Sequence, residues 1–333
     1  MYNVIVYCGD FLPENAEKSQ IALFSGIFWI LGDIFLGGDL HCHTRLSNGS
    51  MGIEEIIALA KSRGIDTIAI TDHDCLAGTV RAKIIGERNG ITVIPGVELS
   101  AIDSVTGEVL HILCYLPDFP DRLEGLCHKN SAARKRAAQY MMIKATQRYP
   151  VTGEIIKRCA TGSTNLYEQH IMHALIECGV ADSFYGDVYE ELFSPESENN
   201  ILVTPSYAEV CDVIESIHAA GGLAVLAHPA MCGDWGSLLD RLVEKGLNGV
   251  EVWCPTADES LVTALTAYAK KHKLLMTGGS DFRGLYNRSA ISIGSYVTPK
   301  THLSELLSFK SRQRRQQKKI AAVEAEAAAA AAH

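Results

Sequence analysis

Histidines stand in this sequence where an imidazole could do chemistry, most densely in "GDLHCHTRLSNGS", where His41 and His43 flank Cys42. Two residues apart on an extended chain, both rings share one face, while Cys42 points to the other and reads as buried packing. Further along, "TDHD" supplies Asp72, His73 and Asp74, "GVELS" Glu98, "LHILCY" His111, "LAHP" His228, and "GSDFR" Asp281 and Arg283. Each has an ordinary explanation alone. A single strand-end histidine is usually a hydrogen-bonded structural residue, and an aspartate before a helix is usually an N-cap. Together, the neutral imidazoles of His41, His43, His111 and His228 with the carboxylates of Glu98 and Asp281 suit a cluster of Mn, Zn or Fe ions.

These residues need a scaffold that brings strand ends to one rim. From residue 37 the chain alternates: strand "GGDLHCH", helix "GIEEIIALAKSRG", strand "DTIAITDHD", helix "VRAKIIGERNG", then strands "ITVIPGVELS" and "VLHILCYL". Residues 121–200 are rich in helical signals and charge and read as a helical insertion. Alternation resumes with helix "YAEVCDVIESIHAAGG", strand "LAVLAHP", helix "LLDRLVEKG", strand "GVEVWC", helix "SLVTALTAYAKKH" and strand "LLMTGGSDF". Repeated units of this size predict a parallel sheet, open or closed into a barrel. In a barrel, functional residues gather at the C-terminal ends of the strands. The organisation is therefore an N-terminal extension 1–36, a barrel from 37–120 and 201–300, an insertion 121–200, and a C-terminal helical tail 301–333.

Composition narrows the class. The 333 residues are 47% hydrophobic and 21% charged, ample for a core, and the formal charge of −9 argues against a general nucleic-acid surface. The ten cysteines form no CxxC pair and suggest a reducing, cytoplasmic setting. The apolar run "IALFSGIFWIL" is too short to span a bilayer and lacks a basic leader, so it reads as a packed extension or as residues upstream of the domain, with no membrane attachment. "KSRQRRQQKK" and the alanine run after it read as a solvated or frayed helix.

The order HxH, TDHD, GVE, a later strand histidine, AHP and GSD, over roughly 37–300, resembles the polymerase and histidinol phosphatase (PHP) family of metal-dependent phosphoesterases. The resemblance implies a distorted (β/α)7 barrel, here of the branch with a helical insertion that contains nucleotide phosphatases and cyclic phosphodiesterases. It implies that His41, His43, Glu98 and Asp281 hold one divalent ion, and that Glu98 bridges to a second held by His111 and His228. Manganese is the first expectation, with zinc or iron as alternatives, and a bridging hydroxide held through Glu98 attacks phosphorus in line.

Two departures stand out. Many family members carry an Asp at the position of Asn48 and a His at that of Arg283, which with the equivalent of His73 hold a third metal. Here His73 remains and the other two are replaced. A divalent ion with one Asp and two neutral His sums to +1, and so do Asn48, neutral His73 and Arg283. Arg283 therefore either stands in for the third ion and grips a phosphate in bidentate fashion, or points to solvent beside a degraded site. A third metal through His73 stays open. Arg134 and Arg136, in "AARKRAAQ", match arginines that face the phosphate in relatives, and His170 matches the His of an "RPH" motif whose Arg is replaced by Glu168. His128, His173, His218 and His272 read as structural or exposed. The expectation is a phosphoesterase on small sugar phosphates or nucleotides, with a cyclic ribose phosphate diester favoured over a nucleotide 3',5'-bisphosphate or short oligonucleotide. The rival is a non-catalytic, metal-bound regulatory or polymerase-associated module.

Overall fold

The computed structural model describes residues 37–331; the apolar run 21–31 and the whole extension 1–36 lie outside the described residues. Strand β1 (Gly38–Cys42) is buried at every position, as are β2 (Thr67–Ile70), β6 (Leu223–Leu226) and β8 (Leu275–Gly278). Strands covered on both faces are mostly apolar, as β6 is throughout, while β1 also buries Asp39 and His41, whose polar atoms find partners within the protein. Between them run α1 (Ile53–Ser62) and α2 (Thr79–Asn89), then β3 (Thr92–Ile102) and β4 (Val109–Tyr115). Helix α1 buries Ile53, Ile56, Ile57 and Ala60, a stripe at helical spacing, and Glu55 closes its first turn by accepting from Gly52 N–H at 2.6 Å.

The sheet order is β1-β2-β3-β4-β6-β7-β8, with β7 at Gly249–Trp253 and the two-residue β5 (Ala208–Glu209) paired to the far end of β3. It nearly closes into a barrel. Just after β8, Phe282 pairs with Cys42, and His43 N–H donates to Phe282 C=O at 2.8 Å. The alternation predicts a parallel sheet, and the sheet departs from this at one strand. Strand β4 runs antiparallel to both β3 and β6. The reason is the connection: residues 103–108 are too few for the crossover that parallel strands require, so β3 and β4 form a hairpin. His111 consequently enters the rim near the start of its strand, not at its C-terminal end.

The apolar interior falls into distinct regions. Leu40, Ala69, Ile94, Leu113, Tyr115 and Val225 belong to one buried cluster, and Tyr115 O–H donates to Leu40 C=O at 2.8 Å, tying β4 to β1. Outer helices α7 (Val210–Ala219), α8 (Trp235–Glu244) and α9 (Glu259–His272) cover β6 and β7 through a second apolar layer. Helices α3 (Glu124–Arg148), α4 (Gly153–Cys159), α5 (Glu168–Glu177) and α6 (Asp187–Phe193) leave the sheet after β4 and share a core of their own around Met141, Ile156, Ile171, Leu175 and Phe193.

The tail departs from its solvated reading at its start. Helix α10 (Lys300–Ala331) buries Lys310 to 1% exposure. Its ammonium meets Asp118 at 2.7 Å and the carbonyl of Gly221, and Arg314 Nε reaches the same aspartate at 2.6 Å. A buried ammonium needs such partners.

Candidate metal centre

His41, His43, Glu98, His111, His228 and Asp281 converge on the barrel rim. His41 Nε2, His43 Nε2, Glu98 Oε2 and Asp281 Oδ1 surround one point. Glu98 Oε2 lies 3.3 Å from His41 and 3.1 Å from His43, and Asp281 Oδ1 lies 3.6 and 3.0 Å from the same nitrogens. Around a second point, Glu98 Oε1 is 3.3 Å from His111 Nδ1 and 3.1 Å from His228 Nε2, with the two nitrogens 3.2 Å apart. Donors about 2.0–2.2 Å from a shared ion sit about 3.0–3.6 Å from one another in octahedral or tetrahedral geometry. Both clusters have this spacing, and Glu98 gives one oxygen to each. His73 joins them, with Nδ1 3.1 Å from Glu98 Oε2.

The fit to divalent cations rests on unmatched acceptors. Glu98 Oε2 and His73 Nδ1 are buried with no hydrogen bond among the described residues, and Asp281 Oδ1 has only the nearby Arg283 guanidinium. Such atoms cost free energy unless a cation or proton satisfies them. Burial is the largest influence on Glu98 and works against ionisation, but His73, His111 and His41 hold its carboxyl well below the usual range. Asp281 is likewise held low against burial, chiefly by Arg283 and His41. Burial drives the His111 imidazole down to about 3, so it is neutral and ready to donate a lone pair. His41 goes the other way: burial lowers its pKa, yet Glu251, Glu98 and Asp281 together raise it well above the usual value.

The surrounding residues explain the precision. Glu251 lies inside β7, fully buried, with Oε1 3.0 Å from His41 Nδ1 and Oε2 accepting from His228 N–H at 2.8 Å. A proton shared between Nδ1 and that carboxylate aims the Nε2 lone pair at the centre. The signal was present in the sequence, a lone carboxylate in the apolar run "GVEVWC". Glu251→Gln is expected to lower metal affinity about 10–100-fold with the fold intact, as for other partners of liganding histidines. Titrating metal into the stripped variant measures this, and parental affinity would remove Glu251 from the design. Asp72 accepts from Thr44 N–H at 2.8 Å and from Ser47 Oγ at 2.5 Å, and Ser47 lies 3.4 Å from His43 Nδ1. Asp74 accepts from Ser100 N–H at 3.1 Å and Asn130 Nδ2 at 2.7 Å. Both aspartates of "TDHD" thus brace backbone and neighbours, and only His73 between them faces the centre. Asp281 and His228 adopt φ of 49° and 29°, left-handed values that cost energy outside glycine and that packing must enforce. Gly279 permits the close approach of β8 to β1, because a side chain there would strike the His41 backbone.

The substrate candidates divide. Arg283 turns inward, with Nη2 2.9 Å from Asp281 Oδ1, so the solvent-pointing alternative does not hold. Asn48 is buried in the turn after His43, its Oδ1 without a partner. Ser50 N–H donates to Arg283 C=O at 3.0 Å, which joins the loops carrying Asn48 and Arg283. Arg134 also faces inward: Nη2 donates to Ser100 Oγ at 2.9 Å, and its guanidinium lies 4.7 Å from the Tyr167 ring and 5.3 Å from that of Tyr207. Neither tyrosine was singled out from sequence. Arg136 is a correction. It is exposed, because two residues of helix turn it by about 200° from Arg134. His170 Nδ1 accepts from Tyr167 N–H at 3.1 Å, which closes the first turn of α5 and occupies one of its two ring nitrogens.

The chain as a whole is similar to known proteins. The PHP domain profile covers residues 39–227. A phosphoribosyl 1,2-cyclic phosphate 1,2-diphosphodiesterase of Eggerthella lenta is 33% identical over 75% of this chain and 95% of its own length. A 5'-3' exoribonuclease of Escherichia coli is 31% identical over 73% of this chain and 84% of its own. Among solved structures, one described as a metal-dependent phosphoesterase, from Bifidobacterium adolescentis, superposes with a TM-score of 0.75 at 27% identity, covering 82% of this chain and 96% of that one.

Proposed function

The chain belongs to the PHP domain family, and from that premise we propose that it is a phosphoesterase whose substrate is a five-membered cyclic phosphate on a ribose, opened and then cleaved to free phosphate. One observation carries the phosphoester reading. Arg134 Nε and Arg283 Nε are buried donors with no partner, while Glu98 Oε2 and His73 Nδ1 are buried with none and Asp281 Oδ1 has only the Arg283 ion pair. Unmatched acceptors call for cations and unmatched guanidinium N–H groups for an anion; a metal-bound phosphate supplies both. His41, His43, Glu98 and Asp281 would hold one ion and Glu98, His111 and His228 the other, with manganese the first candidate and zinc or iron, which imidazole also suits, the alternatives. Such ions polarise phosphoryl oxygens and supply a nucleophilic oxygen at neutral pH. Arg283 and Arg134 grip the non-bridging oxygens, hold the phosphorus in place and offset the charge that grows as the ester bond breaks.

Glu168 favours the cyclic diester. It accepts from Tyr189 O–H at 3.0 Å. Burial, the largest influence, raises its pKa against the pull of Tyr189, Arg134, Arg288 and Arg283. At this position the chain presents an oxygen acceptor, suited to a sugar hydroxyl, and no cation for a second phosphate. Phosphate release should therefore be compared, with Mn²⁺ present, from a ribose cyclic phosphate, a nucleoside 3',5'-bisphosphate and a short oligoribonucleotide. The cyclic diester is expected to give the highest kcat/KM, and faster release from the bisphosphate would overturn this choice. Equilibration with Mn²⁺ followed by removal of excess should leave about two manganese ions per chain by elemental analysis. One ion, or three, contradicts the ligand assignment. We assign the protein to the cytoplasm. The nine cysteines among the described residues are unpaired, and no helix there is long and apolar enough to cross a membrane.

A further inference from the structure

His173, read from sequence as structural or exposed, belongs to a second group of metal-type donors outside the rim. Cys159 ends α4, and His173 and Glu177 lie one turn apart on α5, so both face it. Cys159 Sγ, a ring nitrogen of His173 and a Glu177 oxygen all lie within 4.8 Å of one another. His173 Nε2 is 3.7 Å from Glu177 Oε1. The other groups at the cluster leave these atoms available. Tyr286 O–H lies 2.9 Å from His173 Nδ1, which fixes the ring and leaves Nε2 for a ligand. Arg158 Nη2 takes the second oxygen of Glu177 at 2.5 Å and leaves the first. The three donors line a cavity of about 310 Å³, large enough for an ion and its water.

We propose that Cys159, His173 and Glu177 form a binding site for a zinc-type divalent cation, with a fourth position open to the cavity. Sulfur, imidazole and carboxylate are zinc's usual donors, and three protein ligands with one open place is a recurrent zinc arrangement. Sulfur also separates the two sites chemically: the rim offers only nitrogen and oxygen, which suits manganese, while the thiolate selects a softer ion. The ion clamps α4 to α5. Through the His173–Tyr286 bond it also braces the loop after β8, where Tyr286 N–H donates to Arg283 C=O at 3.4 Å. Binding displaces the Cys159 thiol proton to solvent, and no electron is transferred.

Cobalt(II) is the probe, because a thiolate ligand gives it an intense near-ultraviolet charge-transfer band that nitrogen and oxygen ligands do not. Full-length protein titrated with Co²⁺ is expected to develop this band to the intensity of one thiolate-bound ion per chain, beyond whatever Co²⁺ the rim takes up. His41→Ala, which damages the rim centre, should keep it. Cys159→Ser should lose it while melting, metal-free, at the parental temperature, which separates loss of a ligand from loss of fold. If Cys159→Ser does not fold, His173→Gln serves in its place with the same readout. Absence of the band in the parent, or its survival in a folded Cys159→Ser protein, overturns the site.

Discussion

Glu98→Ala is expected to cost at least about 10³-fold in phosphate release and to strip both rim ions together. The size of the effect follows from geometry. One carboxylate places Oε2 within 3.3 Å of His41, His43 and His73, and Oε1 within 3.3 Å of His111 and His228. Its removal leaves five imidazoles with Asp281, at the edge beside His41 and His43, as the one remaining carboxylate among the ligands. Glu98→Gln is the finer test. It keeps one acceptor oxygen but turns an NH₂ toward histidine nitrogens that must themselves donate lone pairs, so one ion should be lost more readily than the other. Elemental analysis beside a phosphate-release assay distinguishes these results, with circular dichroism to confirm the fold. A Glu98→Ala protein with parental metal content and turnover would show that the rim centre is not the reaction centre.

Arg283→Ala should lower the rate by on the order of 10²–10³-fold while keeping both ions. Arg283 is paired with Asp281, so the variant also withdraws one of the charges that keep that carboxylate ionised. His41 and His43 still act on it in the same direction, which is why metal content is expected to hold. Arg283→Lys should recover part of the loss, because it restores charge without the planar fork. The double change Asn48→Asp with Arg283→His supplies a carboxylate and an imidazole beside His73 and should admit a third manganese ion. Full parental turnover in Arg283→Ala would remove it as a phosphate ligand.

The ligand set was legible because each member carries an unusual side chain at the edge of an apolar run. His228 and Asp281 follow strands whose burial the sequence announces, Glu98 lies within such a strand, and period-two spacing alone puts His41 and His43 on one face. Strand direction at β4 was not legible from periodicity, since an alternating run reads the same in both senses; the short 103–108 connection held the information. The orientation of the insertion was also hidden. "AARKRAAQ" offers Arg134 and Arg136 equally, and only the packing of α3 against Asp74 and Ser100 decides which faces inward. Glu251 was overlooked because one acid within a strand was read as part of the strand, although a buried unpaired carboxylate is too costly to be incidental.

The reversal of β4 turns helix α3 into a ruler. The chain leaves the barrel at the end away from the rim, where Phe119 N–H donates to Ala220 C=O at 2.9 Å just ahead of β6. From there α3 climbs back, and Asn130 meets Asp74 and Ser100 at 2.7 Å one turn before Arg134 arrives. The height of that guanidinium above the floor is thus counted in residues, about 1.5 Å each, and its heading in steps of about 100°. A single residue deleted between Leu123 and Asn130 would leave every rim ligand untouched, yet swing Arg134 away from the centre. The reach of the insertion is written in the length of one helix, so lineages that lengthen or shorten it by whole turns would resize the chamber above an unchanged pair of ions.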